Sequence, residues 1–404
     1  MKDGFRRLAM LLAGVTMALV FAGTAWRALA VCSGFGLPFT DLGSETTFCA
    51  EIAEAYFSGL TNGTSATTYG PAGNVPRDQM AAFITRTLDQ SLLRGSRRAA
   101  LNQRWNQTPH YDLAGLGATS VGTDPVLLKS DGADVWVANG DGTVSRVRAS
   151  DGKNLGTWTG ASKAAGVLIA MGKVFITGET DPGKLYMISP DGSPGAVTVV
   201  ASTLGTNPLG ITFDGDRIWT ANFNTATGGS VSIVTPGTST PWIVAPAGSG
   251  LSAPAGILFD GNNVWVTDYS AGKVVKLSSA GVILQTVTVG SGPLFPAFDG
   301  HNIWVPNSLS DSLTVVRAAD GTVLKTFSAG NGDANGLSSP QAAAFDGQRI
   351  LVTNNNGGLS LFKAADLTII GNPSTPGVSA PYGVCSDGIG FWVTFIGSGK
   401  IGRF

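Results

Sequence analysis

From residue 109 to Phe404 the chain is a succession of short apolar runs, most of them alternating apolar and polar positions, separated by glycine or by Asp-Gly. Alternation with a period of two marks half-buried strands, and the glycine-containing breaks mark tight turns. The runs recur as a unit: an apolar strand, Asp-Gly, a short turn, then a strand carrying Trp-Val and a polar residue. The unit is clearest in Gly210–Gly215, which leads into Ile218-Trp219-Thr220-Ala221-Asn222. It returns in Gly256–Gly261 with Val264–Asp268, in Ala297–Gly300 with Ile303–Asn307, and in Ala344–Gly347 with Ile350–Asn354. Val384–Gly388 with Phe391–Val393 and Ser130–Gly132 with Val135–Asn139 are further copies, and Ala170–Gly172 with Val174–Ile176 is the weakest.

The aromatic or equivalent landmark falls at positions 136, 175, 219, 265, 304, 351 and 392, with successive spacings of 39, 44, 46, 39, 47 and 41. That spacing is the length of one four-stranded propeller blade, so residues 109–404 are predicted to form a seven-bladed β-propeller. Five of the nine tryptophans occupy the landmark, where a large flat ring suits packing between blades. A carbohydrate-stacking role is the sharper alternative for them. Each Asp-Gly fits a turn between first and second strands, glycine supplying positive φ and aspartate bonding its own backbone. The last copy, ending Gly399-Lys400-Ile401-Gly402-Arg403-Phe404, lacks a fourth strand. The segment at about 111–121 is expected to supply it and close the last blade, which removes the exposed edges of an open array.

Upstream the pattern changes to spacings of three and four. Helices are expected at about 45–57, with Ile52, Ala55, Tyr56 and Phe57 largely on one face, and at 77–93, with Met80, Phe83, Ile84, Thr87 and Leu88. Pro76 stands at the start of the second, where a missing N–H costs nothing. The order of landmarks in residues 31–93 resembles an S-layer-homology repeat: Phe39-Thr40-Asp41, Ala50-Glu51-Ile52-Ala53, Gly59-Leu60-Thr61-Asn62-Gly63, Tyr69-Gly70-Pro71 and Val75-Pro76-Arg77-Asp78-Gln79-Met80. The resemblance implies a small helical domain that attaches to cell-wall glycan or peptidoglycan, with Asp41 and Arg77 as wall-binding residues. Arg77 holds the family's basic position, where a guanidinium grips an anionic sugar substituent. Pro76 and Gln79 replace the family's usual threonine and glutamate, and one repeat stands where the family carries several. A small helical cap on the propeller is the competing reading. Residues 94–108, with Arg94, Arg97, Arg98 and Arg104, read as a linker.

The first thirty residues carry a basic start (Lys2, Arg6, Arg7), an apolar run from Leu8 to Ala22, and Ala28-Leu29-Ala30, the features of a cleaved signal peptide. Export follows as an expectation, to cell surface, periplasm or exterior, with no membrane span after cleavage. In an oxidising compartment Cys32 and Cys49 are a possible disulfide pair, while Cys385, in an apolar strand pattern, reads as a buried free thiol. The net charge of −1 and the absence of a basic stripe argue against a nucleic-acid partner.

Catalytic groups are sparse. His301 is the one histidine of the repeated units, His110 standing in the connector, and Glu179 is the one glutamate of the repeat region. Polar residues follow the second strand in several copies, namely Asn139, Asn222, Asp268, Asn307 and Asn354, with Glu179 near in pattern. Such a ring could line a funnel over the channel and bind a ligand; turn formation at strand ends is the plainer reading. The repeat region resembles secreted YVTN and NHL-type propellers and, more loosely, virginiamycin-lyase-like ones. That resemblance specifies fold better than activity. The expectation is therefore an exported binding or scaffold protein of the cell envelope, partnered by wall polymer, another envelope protein or a small ligand, with no cofactor required. A metal-dependent lyase or lactonase with calcium on the polar ring is the first alternative, and a structural envelope-layer component the second.

Overall fold

The computed structural model describes residues 37–42, 52, 61, 63–75, 80 and 118–404, the last without 330–334, 374, 376 and 377. The chain divides into two compact units, 1–94 and 95–404.

In the second unit, seven four-stranded antiparallel sheets follow one another. Blades 1 to 6 comprise residues 125–159, 164–204, 208–247, 254–288, 297–328 and 340–371, each laid down in order from an inner to an outer strand. Blade 7 takes its three inner strands from 381–386, 391–395 and 400–403. Its fourth is Ala118–Ser120, paired antiparallel in the register Ala118↔Gly402, Thr119↔Ile401, Ser120↔Lys400. Both ends of the repeat region therefore share one sheet, and the seven-bladed propeller is closed. Residues 111–117 of the expected closing segment lie outside the described residues.

The repeated sequence unit is a repeated set of bonds. In blade 4, Asp260 Oδ1 accepts the N–H groups of Asn262 and Asn263 (2.8 and 2.7 Å), which folds the Asp-Gly turn. Its other oxygen accepts the indole N–H of Trp265 at 2.7 Å. Asp131–Trp136, Asp214–Trp219, Asp299–Trp304 and Asp387–Trp392 repeat the pair. One aspartate thus shapes the hairpin and satisfies the only polar atom of a ring that must be buried. All five rings are fully buried, which removes them as a sugar-stacking platform. Blade 6 has Leu351 at the landmark, and there Asp346 Oδ2 accepts from Arg349 Nε instead. Blade 2 has lost both members together: Phe175 needs no acceptor, and Met171 stands in the turn with φ 52°.

Four pairs of neighbouring blades are joined at the centre by threonine. Thr267 Oγ1 accepts the Gly256 N–H of its own inner strand and donates to the Leu294 carbonyl beside the next blade (2.8 Å each). Thr177 repeats this toward Leu209 and Thr394 toward Val126; Thr353 likewise joins Ala342 to Tyr382. Inner-strand glycines make the approach possible, since a Cβ on Gly256 would lie 2.3 Å from the Leu294 oxygen. Blade 5 departs from the pattern because Pro296 and Pro306 lack N–H donors. Its inner strand shrinks to Ala297–Phe298, and Phe295 pairs in parallel with Ala342 of blade 6.

In the first unit, Phe39, Leu42 and Ile52 form a small buried cluster against which Leu37 and Tyr69 pack. Ile52 and Met80 are helical. The rest of the two expected helices, and with them Arg77, Cys32 and Cys49, lies outside the described residues.

Candidate functional site

The polar residues that end the second strands sit inside the blades. Asn139, Asn222, Asp268, Asn307 and Asn354 are all at most 2% exposed. Asn139 Nδ2 donates to Thr143 and Ser145, Asn222 to Ser230 and Ser232, and Asn307 to Ser312 and Thr314. Asn354 donates to Ser360 and accepts the Ser338 N–H, while the Asp268 carboxylate accepts those of Ser252 and Ala253. These side chains pin the second strand to the third, or to the loop entering the blade. The four asparagine amides present N–H groups to hydroxyls of their own blades, while Oδ1 of Asn139 and of Asn307 is buried without a hydrogen-bond partner. Among the described residues, no three of His, Cys, Asp and Glu come together as a metal-binding group.

The channel mouth is lined one residue further on, by Gly140, Glu179, Phe223, Tyr269, Ser308, Asn355 and Ile396. Each donates its backbone N–H to a carbonyl on the segment entering a blade: Asp124, Lys163, Asn207, Ala253, Gly292, Ser339 and Ala380 respectively, all but Gly292 immediately before an inner strand. Six of those seven acceptors have positive φ, Ala253 being the exception. This constriction turns the chain sharply inward and fixes the rim as a rigid sevenfold ring of backbone bonds.

Below the rim the channel is apolar. Ala165, Leu209, Ala255, Leu294, Phe295 and Ala342 belong to one buried cluster, with Val126, Leu127, Phe223, Tyr269 and Tyr382 packed against it. Phe223 meets Tyr269 edge-on at 5.5 Å between ring centres, and Phe295 meets Tyr382 at 5.8 Å. Glu179, half-buried, lies near enough to this cluster to act on Tyr382 electrostatically. Burial raises its pKa, and Lys163, whose carbonyl accepts the Glu179 N–H at 2.9 Å, opposes the rise. Burial also holds the Tyr382 phenol well above the ordinary tyrosine range, reinforced by the charge of Glu179 and by Tyr269. Aromatic rings, an apolar cluster and one half-buried carboxylate therefore come together beside these backbone bonds.

The sequence pattern identified the strand ends but not which residue there faces the channel. The signal is that the residues after the second strand include aromatic side chains, Phe223 and Tyr269, at positions a turn would fill with small polar ones. His301 lies in the hairpin between first and second strands of blade 5, at the opposite end of the second strand from the mouth. In the first unit, the Asp41 carboxylate accepts the N–H groups of Tyr69 (2.8 Å) and Gly70 (2.7 Å). Those two bonds hold its pKa below the usual range, Tyr69 contributing most, and they tie the loop 63–75 to the start of the unit.

No helix among the described residues is long and apolar enough to cross a membrane. No family model matches the chain, and no curated protein matches it. Among solved structures, a streptogramin B lyase is similar with 18% identity and a TM-score of 0.58, covering 70% of this chain and 93% of that one. Virginiamycin B lyase from Staphylococcus aureus is similar at 19% identity and a TM-score of 0.57, covering 70% and 94%. The WD40 β-propeller domain of Doa1 is similar at 14% identity and a TM-score of 0.56, covering 72% and 96%. At these identities the likeness is one of fold.

Proposed function

We propose that this chain is an exported binding protein of the cell envelope. The propeller takes a small apolar or aromatic ligand at its channel mouth, and residues 31–93 associate with wall polymer. The observation that carries the binding reading is the mouth itself: Glu179, Phe223 and Tyr269 on a rim locked by backbone bonds, with Tyr382 in the apolar wall below. A preformed rim binds without the entropic cost of ordering loops. The attachment reading draws on the S-layer-homology-like landmarks from Phe39 to Met80, and the export reading on the basic and apolar leader.

A lyase reading has one specific support, since two of the similar propellers are named streptogramin B lyase and virginiamycin B lyase. Against it, His301, the one histidine among the described residues, is at the far end of blade 5, and Glu179 is the one glutamate among them.

The deciding experiment is a ligand-observed NMR screen of small aromatic, amine and glycan compounds against the full chain and Tyr269→Ala, run beside sedimentation with intact cell-wall sacculi. Ligands lost in Tyr269→Ala, and sedimentation weakened by Arg77→Ala, are expected. Ligands indifferent to Tyr269 would remove the mouth as the binding site. Failure to sediment would remove wall attachment while leaving the propeller reading to stand. Chemical turnover of a bound ligand would favour the lyase.

A further inference from the structure

On the face that carries the Asp-Gly turns, a cation bridges three pairs of neighbouring blades in the same way. Arg217 Nη2 of blade 3 contacts Asp214 Oδ2 of its own turn at 3.0 Å and the Ser279 carbonyl of blade 4 at 2.5 Å. Arg146 of blade 1 pairs with Asp134 and donates to the Pro190 carbonyl of blade 2, and Lys276 of blade 4 donates to the Ala318 carbonyl of blade 5. Pro190, Ser279 and Ala318 hold the same place, two residues beyond the third-strand partner (Ile188, Leu277, Val316) of Val174, Val264 and Ile303. Each cation also lies over its own blade's tryptophan, 5.0 to 5.4 Å from the ring centre.

Between blades 5 and 6 the cation is displaced: Lys325, on the fourth strand, donates to the Leu367 carbonyl at 3.1 Å, and among the described residues none lies between Asp299 and the corresponding blade 6 carbonyl. The third-strand residue opposite Trp304 is Val315, where blades 1 and 4 have Arg146 and Lys276. The residue three beyond the turn aspartate is Asn302, where blade 3 has Arg217, and its amide folds back onto Asp299 at 3.1 Å. The acceptors remain. Asp299 retains its turn and its bond to Trp304, and Ala364, two residues beyond Phe362, is the counterpart of Ser279 and Ala318. Where the cation would lie is a groove of about 730 Å³ lined by Asp299, His301, Phe345, Arg349, Ala364 and Ile370 among others. The equivalent groove between blades 3 and 4, which contains Arg217, encloses about 150 Å³.

The charges define what would complete it. Arg349 is paired with Asp346 at 2.7 Å, and Lys363, also on the wall, with Asp366 at 2.6 Å. Among the described residues, no cation pairs with Asp299. We propose that this groove binds a guanidinium or primary ammonium group on an apolar stem, its charge held between the Asp299 carboxylate and the Ala364 carbonyl. The geometry is that of Arg217 between Asp214 and Ser279, and Phe345 and Ile370 receive the stem. A free amine or guanidine and an arginine or lysine side chain of a peptide share this chemistry.

The full chain is titrated with n-butylguanidinium and, separately, with acetyl-Gly-Arg-Gly-amide, following the indole N–H resonance of Trp304, whose proton is bonded to Asp299. A saturable shift is expected with n-butylguanidinium and none with n-butanol. Asn302→Arg, which supplies the missing cation from the chain itself, is expected to weaken binding about tenfold or more, as a tethered competitor does. Asp299→Asn, which keeps an oxygen for the indole, gives the same loss should Asn302→Arg fail to fold. Tighter binding of the peptide assigns the source to a polypeptide partner, and equal or weaker binding to a small molecule. No saturable shift with either cation, an equal response to n-butanol, or undiminished binding by both variants overturns the proposal.

Discussion

Thr394 Oγ1 donates to the carbonyl of Val126 at 2.8 Å, across 268 positions of sequence, and accepts the Gly383 N–H at 2.7 Å. The same threonine bond joins blades that are consecutive in the chain, as Thr267 does to Leu294. At the junction of blades 7 and 1, by contrast, it works beside a closing strand of only three residues.

Thr394→Val removes a donor and an acceptor at once and leaves two buried backbone groups without that partner. A loss of about 2–4 kcal/mol is expected, read as a lowered urea midpoint. Thr267→Val should cost a similar amount. The two should differ in amide exchange, because only Thr394→Val loosens the seam: faster exchange at Ala118–Ser120 and Lys400–Arg403 is expected for it alone.

Asp260→Ala leaves the turn without its acceptor and buries the Trp265 N–H unpaired. We expect a loss of about 2–4 kcal/mol in urea unfolding. Asp260→Asn keeps one oxygen and should lose clearly less. Were Asp260→Ala as stable as the parent, the Asp–Trp pair would be incidental to the fold.

The blade count was legible because five of the seven landmarks are large buried rings whose N–H needs an aspartate five residues earlier, and such coupled demands survive in sequence. Blade 2 shows the same logic in reverse: Phe175 frees its turn from needing aspartate, so both signals fade together and the copy reads as the weakest. The site was harder. Asn139, Asn222 and Asn307 are polar and fall at strand ends, which is equally what a ligand ring and a buried hydroxyl clamp look like in one dimension. Only the third strand's Ser and Thr partners distinguish them, and those partners come from register. The groove between blades 5 and 6 was illegible for a related reason. Its defining feature is a residue that blade 5 lacks, and Val315 is unremarkable until paired with Trp304.

Gly256→Ala tests how closely the blades approach. Its backbone is ordinary in φ, so the obstacle is contact alone: a Cβ meets the Leu294 oxygen at 2.3 Å and the Phe295 Cα at 2.9 Å, both on the main chain. A loss of about 3 kcal/mol or somewhat less is expected, as for overpacking. Gly261 is the converse, with open space but φ +96°. Gly261→Ala should cost about 1–2 kcal/mol from strain alone.

Cys385 is buried, and burial pushes its thiol up to about 12. Reaction with an aromatic disulfide reagent at pH 8 should therefore proceed only at the rate of unfolding, rising steeply with urea. Rapid labelling in the native state would place this strand nearer solvent than the structure does.

Glu179 sets the pH response of the channel mouth. Its pKa is raised in the folded protein, chiefly by burial, with Lys163 opposing. The folded state therefore holds the proton more tightly than the unfolded chain. The stability this contributes is fully present below the unfolded carboxylate pKa and is lost as pH rises through the higher folded value. Above that window the buried charge is a net cost. Glu179→Gln should accordingly stabilise the protein at pH 7 relative to the parent, with the difference shrinking toward zero as pH falls below the ordinary carboxylate range. Parallel thermal melts of the two proteins from pH 3.5 to 8 measure this directly. A difference independent of pH, or one that grows as pH falls, would mean that the carboxylate is solvated at the rim and not part of the channel wall.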